Sequence, residues 1–424
     1  MKDINEQTPA AEEPKIDAIL IAGSENAIIH DEPLAEETSV TVEEFSSAAD
    51  DDSLIAEEAD SSFDNDDDLD IEEEDDLIYK EDEEISDDTP ILAADEKKEK
   101  KKGKKKDKKK SKKDKKAKSD KKDNFSAKEH PSMQHFINNT ALICEGGGMR
   151  AAVTGGMASV LIERGVVFPY ITGVSAGTSI AVCYLLRNVA RLHRCFVDIA
   201  DDPNFIGASH FLRGHGYFNS HYIYEESFFD DDLAQHSWQT FCDSDIEIAL
   251  SAFNAETGQI RYWNKADITS YGDLCRICRA SSSLPVVMPS TYIDGQPYID
   301  GGVHEGFVLE PAIAAGIERF VILPTHVRGF RREVKKNNAA TRVLYRNYPK
   351  VLAAMETRAA NYNRQMDLID ELEASGRALV LYPDEMPIER TEHNKEKLEA
   401  AWQQGRAQAE QACDAWLAWM TAKL

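Results

Sequence analysis

The chain has 424 residues, a net charge of −28 at pH 7 and seven cysteines. Length alone would suggest two or three domains, but the charge is very uneven: about −33 over residues 1–96, about +14 over residues 97–122 and about −9 over the rest. An odd cysteine count confined to the last two thirds argues against a disulfide framework.

The start, Met1-Lys2-Asp3-Ile4-Asn5-Glu6, has no apolar run of the kind a secretory signal needs. No stretch approaches the length that spans a bilayer. A cytoplasmic protein is expected, with peripheral membrane attachment open through its lysines.

Residues 1–96 are acidic, with small apolar islands such as Ile19-Leu20-Ile21 and Leu77-Ile78-Tyr79. Such a chain buries too little apolar surface to offset its ordering entropy, so a disordered tail is expected. Residues 97–124 read as a lysine-rich low-complexity linker, extended by like-charge repulsion. Residues 125–424 read as the folded part, with a motif core at about 136–330 and a helical C-terminal part at 340–424. The lysine block suits an anionic membrane. The neighbouring acidic tail is the alternative occupant of those lysines. Nucleic acid is disfavoured, because the folded part is acidic and has no basic face with spaced aromatics.

In chain order, Thr140–Cys144 reads as a short buried strand ending in Glu145-Gly146-Gly147-Gly148. Thr154–Arg164 has helical spacing and stops at Gly165. Tyr170–Val174 is a second strand and Ala176–Val189 an apolar helix. Ile246–Phe253 and Ile260–Trp263 read as a hairpin across Glu256-Thr257-Gly258. Helices are expected over Asp273–Ser282, Gly306–Ala315, about Leu344–Leu372 and Lys395–Met420, with strands at Phe320–Leu323 and Ala378–Leu381. This alternation predicts an α/β fold, a mostly parallel central sheet with helices on both faces.

Three motifs carry chemistry. Gly173-Val174-Ser175-Ala176-Gly177 is a G-x-S-x-G with a predicted strand before it and a helix after it, the context in which a serine is held on a sharp, strained turn. The helix N-terminus there favours developing negative charge. The bland alternative is a structural turn. Gly146-Gly147-Gly148, followed by Met149-Arg150, exposes successive backbone N–H groups that suit an anion or oxyanion. It lacks the Gly-Lys-Ser/Thr of a phosphate loop and the spacing of G-x-G-x-x-G. Asp300-Gly301-Gly302 leaves a carboxylate at a strand end beside open backbone, a weak signal alone because Asp-Gly turns are common.

Together the three blocks, in this order, resemble the patatin-like phospholipases, in particular their bacterial members. Ala280-Ser281-Ser282-Ser283-Leu284-Pro285 through Met288-Pro289 resembles the family's segment before its aspartate. Leu381-Tyr382-Pro383, Arg390-Thr391 and the charged helix after them look like the C-terminal part of some bacterial members. Ala151 stands where the family often has Gly, and His304-Glu305-Gly306 follows the Asp-Gly-Gly where Asn-Pro is usual.

The resemblance implies a three-layer sandwich and a serine acyl hydrolase acting on lipid or other acyl esters through a Ser–Asp dyad. By matching positions Ser175 is the nucleophile and Asp300 the general base. Gly146, Gly147, Gly148, Met149 and Arg150 form the oxyanion loop. Gly173, Val174, Ala176 and Gly177 form the nucleophile elbow, and Gly301 and Gly302 the turn after the aspartate. No metal or cofactor is implied. The alternative is a catalytically idle domain of the same fold that binds lipid or partners through its charged tail.

Other features have plainer readings. Cys275-x-x-Cys278 sits one helical turn apart with no second pair, which suits two core thiols better than zinc. His210, His215 and His221 lie in a Gly-, Phe- and Tyr-rich stretch expected to be a mobile loop near the site. His304 and His326 leave a Ser–Asp–His order open. Trp402, Trp416 and Trp419 are expected to dock the last helix on the core.

Overall fold

A computed structural model describes residues 134–227, 231–285, 287–334, 337 and 339–422. The acidic tail at 1–96 and the lysine-rich linker at 97–124 lie outside the described residues. The strands are β1 (His135–Phe136), β2 (Thr140–Cys144), β3 (Val166–Val167), β4 (Tyr170–Val174), β5 (Glu247–Asn254), β6 (Ile260–Asn264), β7 (Thr291–Ile293), β8 (Gln296–Asp300), β9 (Arg319–Leu323) and β10 (Ala378–Val380). The helices are α1 (Ala151–Glu163), α2 (Ala176–Leu185), α3 (Val189–Phe196), α4 (Ala208–Leu212), α5 (Asp231–Asp243), α6 (Tyr271–Ser281), α7 (Glu310–Ala314), α8 (Ala339–Leu344), α9 (Pro349–Ala374) and α10 (Lys395–Thr421).

The main sheet is mixed, in the order β10-β9-β2-β4-β5-β8-β7 with β6 also paired to β5. The run from β10 to β5 is parallel, while β8, β7 and β6 join antiparallel. The parallel strands are short apolar runs because both their faces are covered. Side chains alternate across them, as period-2 geometry requires. Leu142, Cys144, Ile171, Leu250, Val321 and Leu323 join one large core with α1, α2, α3, α6 and α10. Phe253 and Ile299 point the other way, against Val351 and Ala354 of α9.

The chain runs β2-α1-β4 in one direction along the sheet and β9-α9-β10 in the other. Right-handed crossovers therefore put α1 and α9 on opposite faces. The winding reverses between β2 and β9, and loops leaving the C-terminal ends of strands at such a point are spread apart to form a crevice.

Several expectations shift. The helix expected from Thr154 begins at Ala151, directly after a 3₁₀ turn at Gly148–Arg150. The helix expected over Ala176–Val189 divides. Arg187 takes a left-handed φ of 53°, and Asn188 then caps α3 by accepting the Arg191 N–H at 2.9 Å. The helix expected from Gly306 begins only at Glu310. Before it, Gln365 of α9 accepts the Gly306 and Phe307 N–H groups at 2.9 and 3.1 Å and donates to the Phe307 carbonyl at 2.7 Å. Those tertiary bonds compete with helical ones. Trp402 and Trp416 are buried in the core, and the Arg319 guanidinium lies 3.9 Å from the Trp419 ring centroid.

Candidate active site

Ser175 sits between the last residue of β4 and the first of α2. Its φ of 54° with ψ of −131° is a conformation few non-glycine residues adopt. Such strain costs about 1–3 kcal/mol and persists only where the surroundings over-determine it. Here Ser281, at the end of α6, accepts the Ser175 N–H at 2.8 Å and contacts the Thr178 hydroxyl at 2.8 Å. A Cβ at Gly173 would strike the Gly177 carbonyl, and one at Gly177 the Cys144 carbonyl, so the turn has no room for larger residues on either side.

The neighbour of this serine is set by strand order. Val174 of β4 lies opposite Ser251 of β5, and Ala252 lies opposite Asp300 of β8. Ser175, one residue past Val174, is therefore carried to the end of β8. Ser175 Oγ donates to Asp300 Oδ2 at 2.6 Å. The other oxygen, Oδ1, accepts the Gly302 N–H at 2.7 Å, and the Asp300 N–H is tied to the Ser283 carbonyl at 2.9 Å. Both side chains are buried. Burial raises the Asp300 carboxyl above its ordinary value, against the hydrogen bonds from Ser175 and Gly302 and the nearby Arg358 and Arg390 guanidiniums.

The glycine loop lies against the same serine and lines the space in front of it. Gly148 has φ of 54°, and a Cβ there would strike the Arg390 carbonyl. That carbonyl accepts the Met149 N–H at 2.8 Å, and the Gly147 carbonyl accepts the Arg150 N–H at 3.2 Å. The Met149 and Arg150 amides are thus already engaged, while Gly146, Gly147 and Gly148 border the space in front of the serine. Beneath the loop, buried Glu145 accepts from the Tyr362 hydroxyl at 2.9 Å and pairs with His326 Nδ1 at 3.1 Å. Burial holds His326 down to about 4, so the ring is neutral near pH 7.

Two cavities meet at Ser175. One, of about 80 Å³, is apolar and lined by residues including Val182, Phe196, Phe205, Phe218, Ile223 and Leu274. Cys275 and Cys278 also line it, which gives that pair a packing role. The stretch around His210 and His221 supplies Phe205, Phe218 and Ile223 to its wall. The other cavity, of about 40 Å³, is edged by charged side chains, including Arg150, Asp300, Glu305, Arg332 and Arg358, and by His304. Gly148, Ser175, Leu284 and Arg390 belong to both.

His304 contacts Asn361 at 3.3 Å, and the Ser175 hydroxyl passes directly to Asp300. The two-residue arrangement accounts for the bond without a histidine between them. Sequence reading missed the roles of Ser281 and of the Arg390 carbonyl. The first stood in a serine run already singled out, and the second in a segment noted only for its loose resemblance.

A strained serine thus stands on a strand–helix turn, bonded to a buried carboxylate beside a glycine loop. Residues 142–313 match the family model described as patatin-like phospholipase, and the chain carries a patatin-like domain there. A second model, described as a domain of unknown function (DUF6363), matches residues 348–421. Among solved structures, the crystal structure of VipD from Legionella pneumophila is similar at 12% identity and a TM-score of 0.32; the match covers 65% of this chain and 66% of that one. No curated protein matches.

Proposed function

We propose that this chain is a serine acyl hydrolase that cleaves the ester of an amphipathic lipid, with Ser175 as nucleophile and Asp300 as base. Membership of residues 142–313 in the patatin-like phospholipases supports lipid hydrolysis in general. The observation that carries the finer reading is the 2.6 Å bond from Ser175 Oγ to Asp300 Oδ2, at the junction of an apolar cavity and one edged by charged residues.

In this reading the acyl chain occupies the apolar cavity and brings its carbonyl to Ser175. Oγ attacks as its proton passes to Asp300, whose burial strengthens it as a base. The oxyanion forms against the glycine amides, each such donor stabilising the transition state by about 3 kcal/mol. The protonated Asp300 then gives its proton to the departing alcohol, leaving an acyl-enzyme on Ser175. Water, deprotonated by Asp300, attacks that ester. The fatty acid leaves and Oγ recovers its proton.

The test is hydrolysis of a p-nitrophenyl ester series of increasing chain length by the full chain, together with reaction with an alkyl fluorophosphonate. Turnover that rises with chain length and a phosphonate adduct mapped to Ser175 are expected. A folded protein that neither cleaves any ester in the presence of vesicles nor takes the phosphonate would sink the proposal.

A further inference from the structure

The glycine loop beside Ser175 contains a peptide that its own residues cannot hold. Between Gly146 and Gly147 there is no side chain on either flank to resist rotation of the peptide plane. Its orientation matters, because one edge is a donor and the other an acceptor. In a planar trans peptide the C=O and the N–H point opposite ways. With the N–H turned to the space before Ser175, the loop attracts negative charge there. Turned over, it would present a carbonyl oxygen and repel the same charge.

The plane is held from behind. Thr325, two residues past β9, donates its hydroxyl to the Gly146 carbonyl at 2.8 Å. It also packs on Gly147, where a Cβ would overlap the Thr325 side chain. Thr325 is fully buried. Gly146 and Gly147 line the cavity in front of Ser175 and Thr325 does not, so it lies on the far side of the loop. The bonded carbonyl therefore points away from that cavity and the Gly147 N–H towards it.

Thr325 is itself anchored through its backbone. Cys144 of β2 lies opposite Leu323 of β9, and the Glu145 N–H continues that ladder to the Leu323 carbonyl at 3.1 Å. Beyond it the buried Glu145 carboxylate joins the two chain segments by accepting the Thr325 N–H. Its other oxygen is engaged by Tyr362 and His326 at 2.9 and 3.1 Å. Removing the Thr325 hydroxyl would thus leave its backbone in place and release only the Gly146 carbonyl. Thr325 lies beyond residues 142–313, so the family match does not include it.

We propose that Thr325 is a positioning residue whose hydroxyl locks the Gly146–Gly147 peptide, so that the Gly147 N–H and not the Gly146 carbonyl faces the developing oxyanion. The catalytic consequence rests on the acyl-hydrolase reading; the lock does not.

The test compares the full-length wild type with Thr325→Val, which keeps the shape and loses the hydroxyl, and with Thr325→Ser, which keeps the hydroxyl. The substrate is p-nitrophenyl octanoate. Thr325→Val should lower kcat about 10²-fold with KM within about threefold, and Thr325→Ser should stay within about threefold of wild type in both. Thr325→Ala serves if Thr325→Val melts early. Unchanged kcat in a folded variant without the hydroxyl would overturn the proposal. So would equal losses in Thr325→Val and Thr325→Ser, or a change confined to KM. Crystal structures of the wild-type and Thr325→Val chains read the peptide plane without turnover. In Thr325→Val the Gly146 carbonyl should leave its wild-type position and turn towards Ser175, and an unmoved carbonyl would overturn the lock. A peptide that turns over in a protein whose wild type cleaves no ester would fail the hydrolase reading and leave the lock standing.

Discussion

Residues 142–313 and residues 348–421 meet at the same serine but shape its surroundings by different means. The first region supplies the strained Ser175, the buried Asp300 and the glycine amides, all placed by strand ends and tight turns. The second supplies long side chains and one carbonyl, reaching in from α9 and from the segment before α10: Arg358 to Gly302, Tyr362 to Glu145 and the Arg390 carbonyl to Met149. The first region is shaped by backbone geometry, the second by the reach of long side chains from distant helices.

The largest expected effect lies wholly in the first region. Ser175→Ala and Asp300→Asn should each reduce ester turnover by about 10⁴-fold, because nucleophile and base act as a unit. Melting curves should show both variants folded. Substantial turnover in Asp300→Asn would move the base elsewhere and break the comparison at its root.

Glu305 follows the Asp-Gly-Gly turn yet faces the arginine-lined cavity, so it tests the border between the regions. Its folded value is raised from the ordinary 4.5 to about 8. The unfolded chain therefore releases this proton at a lower pH than the native one does. Its stabilising contribution is full below 4.5 and is lost as pH rises towards 8, so stability should fall across that window. Glu305→Gln should flatten the slope and stabilise the protein at pH 9 by on the order of 4 kcal/mol. Denaturant titrations at several pH values would show it. An unchanged slope would mean that Glu305 ionises normally.

Gly148→Ala tests the seam directly, because the left-handed glycine lies against the Arg390 carbonyl. The loop must shift, and turnover should fall about 10²-fold, the usual cost of one misplaced oxyanion donor. Gly295→Ala is the control. Its φ is also left-handed, at 78°, but a Cβ there meets open space. It should cost about 1 kcal/mol of stability and leave kcat unchanged. Equal kcat loss in the two variants would mean that strain, not the Arg390 contact, governs the site.

The smallest effect is expected from Tyr362→Phe. It leaves the ring in place but removes the hydroxyl that donates to buried Glu145. Thermal or denaturant unfolding should report a loss of about 1–2 kcal/mol. A neutral result would mean that His326 and the Thr325 backbone suffice to hold that carboxylate.

The parts of the fold legible in the sequence were those written locally. β2 and β4 are short, mostly apolar runs; β2 ends just before Glu145-Gly146-Gly147-Gly148 and β4 just before Ser175 of the elbow. Asn188 offered a sign that the apolar helix breaks, but unbroken hydrophobic spacing on both sides hid it. The late start of α7 had no local sign, because it depends on Gln365, some sixty residues further on. The amides of Met149 and Arg150 looked available only because the carbonyls that take them, at Arg390 and Gly147, are placed by tertiary contact and by a 3₁₀ turn.

By itself the sequence determined the α/β alternation and the elbow around Ser175, because period, turn chemistry and glycine spacing act over a few residues. Only the tertiary structure decided that Ser175 and Asp300, 125 residues apart, share a hydrogen bond. It also decided that Arg332, Arg358 and Arg390 gather around them. Strand order in a sheet and the reach of side chains from distant helices are set by packing of the whole chain, which no short window of residues contains.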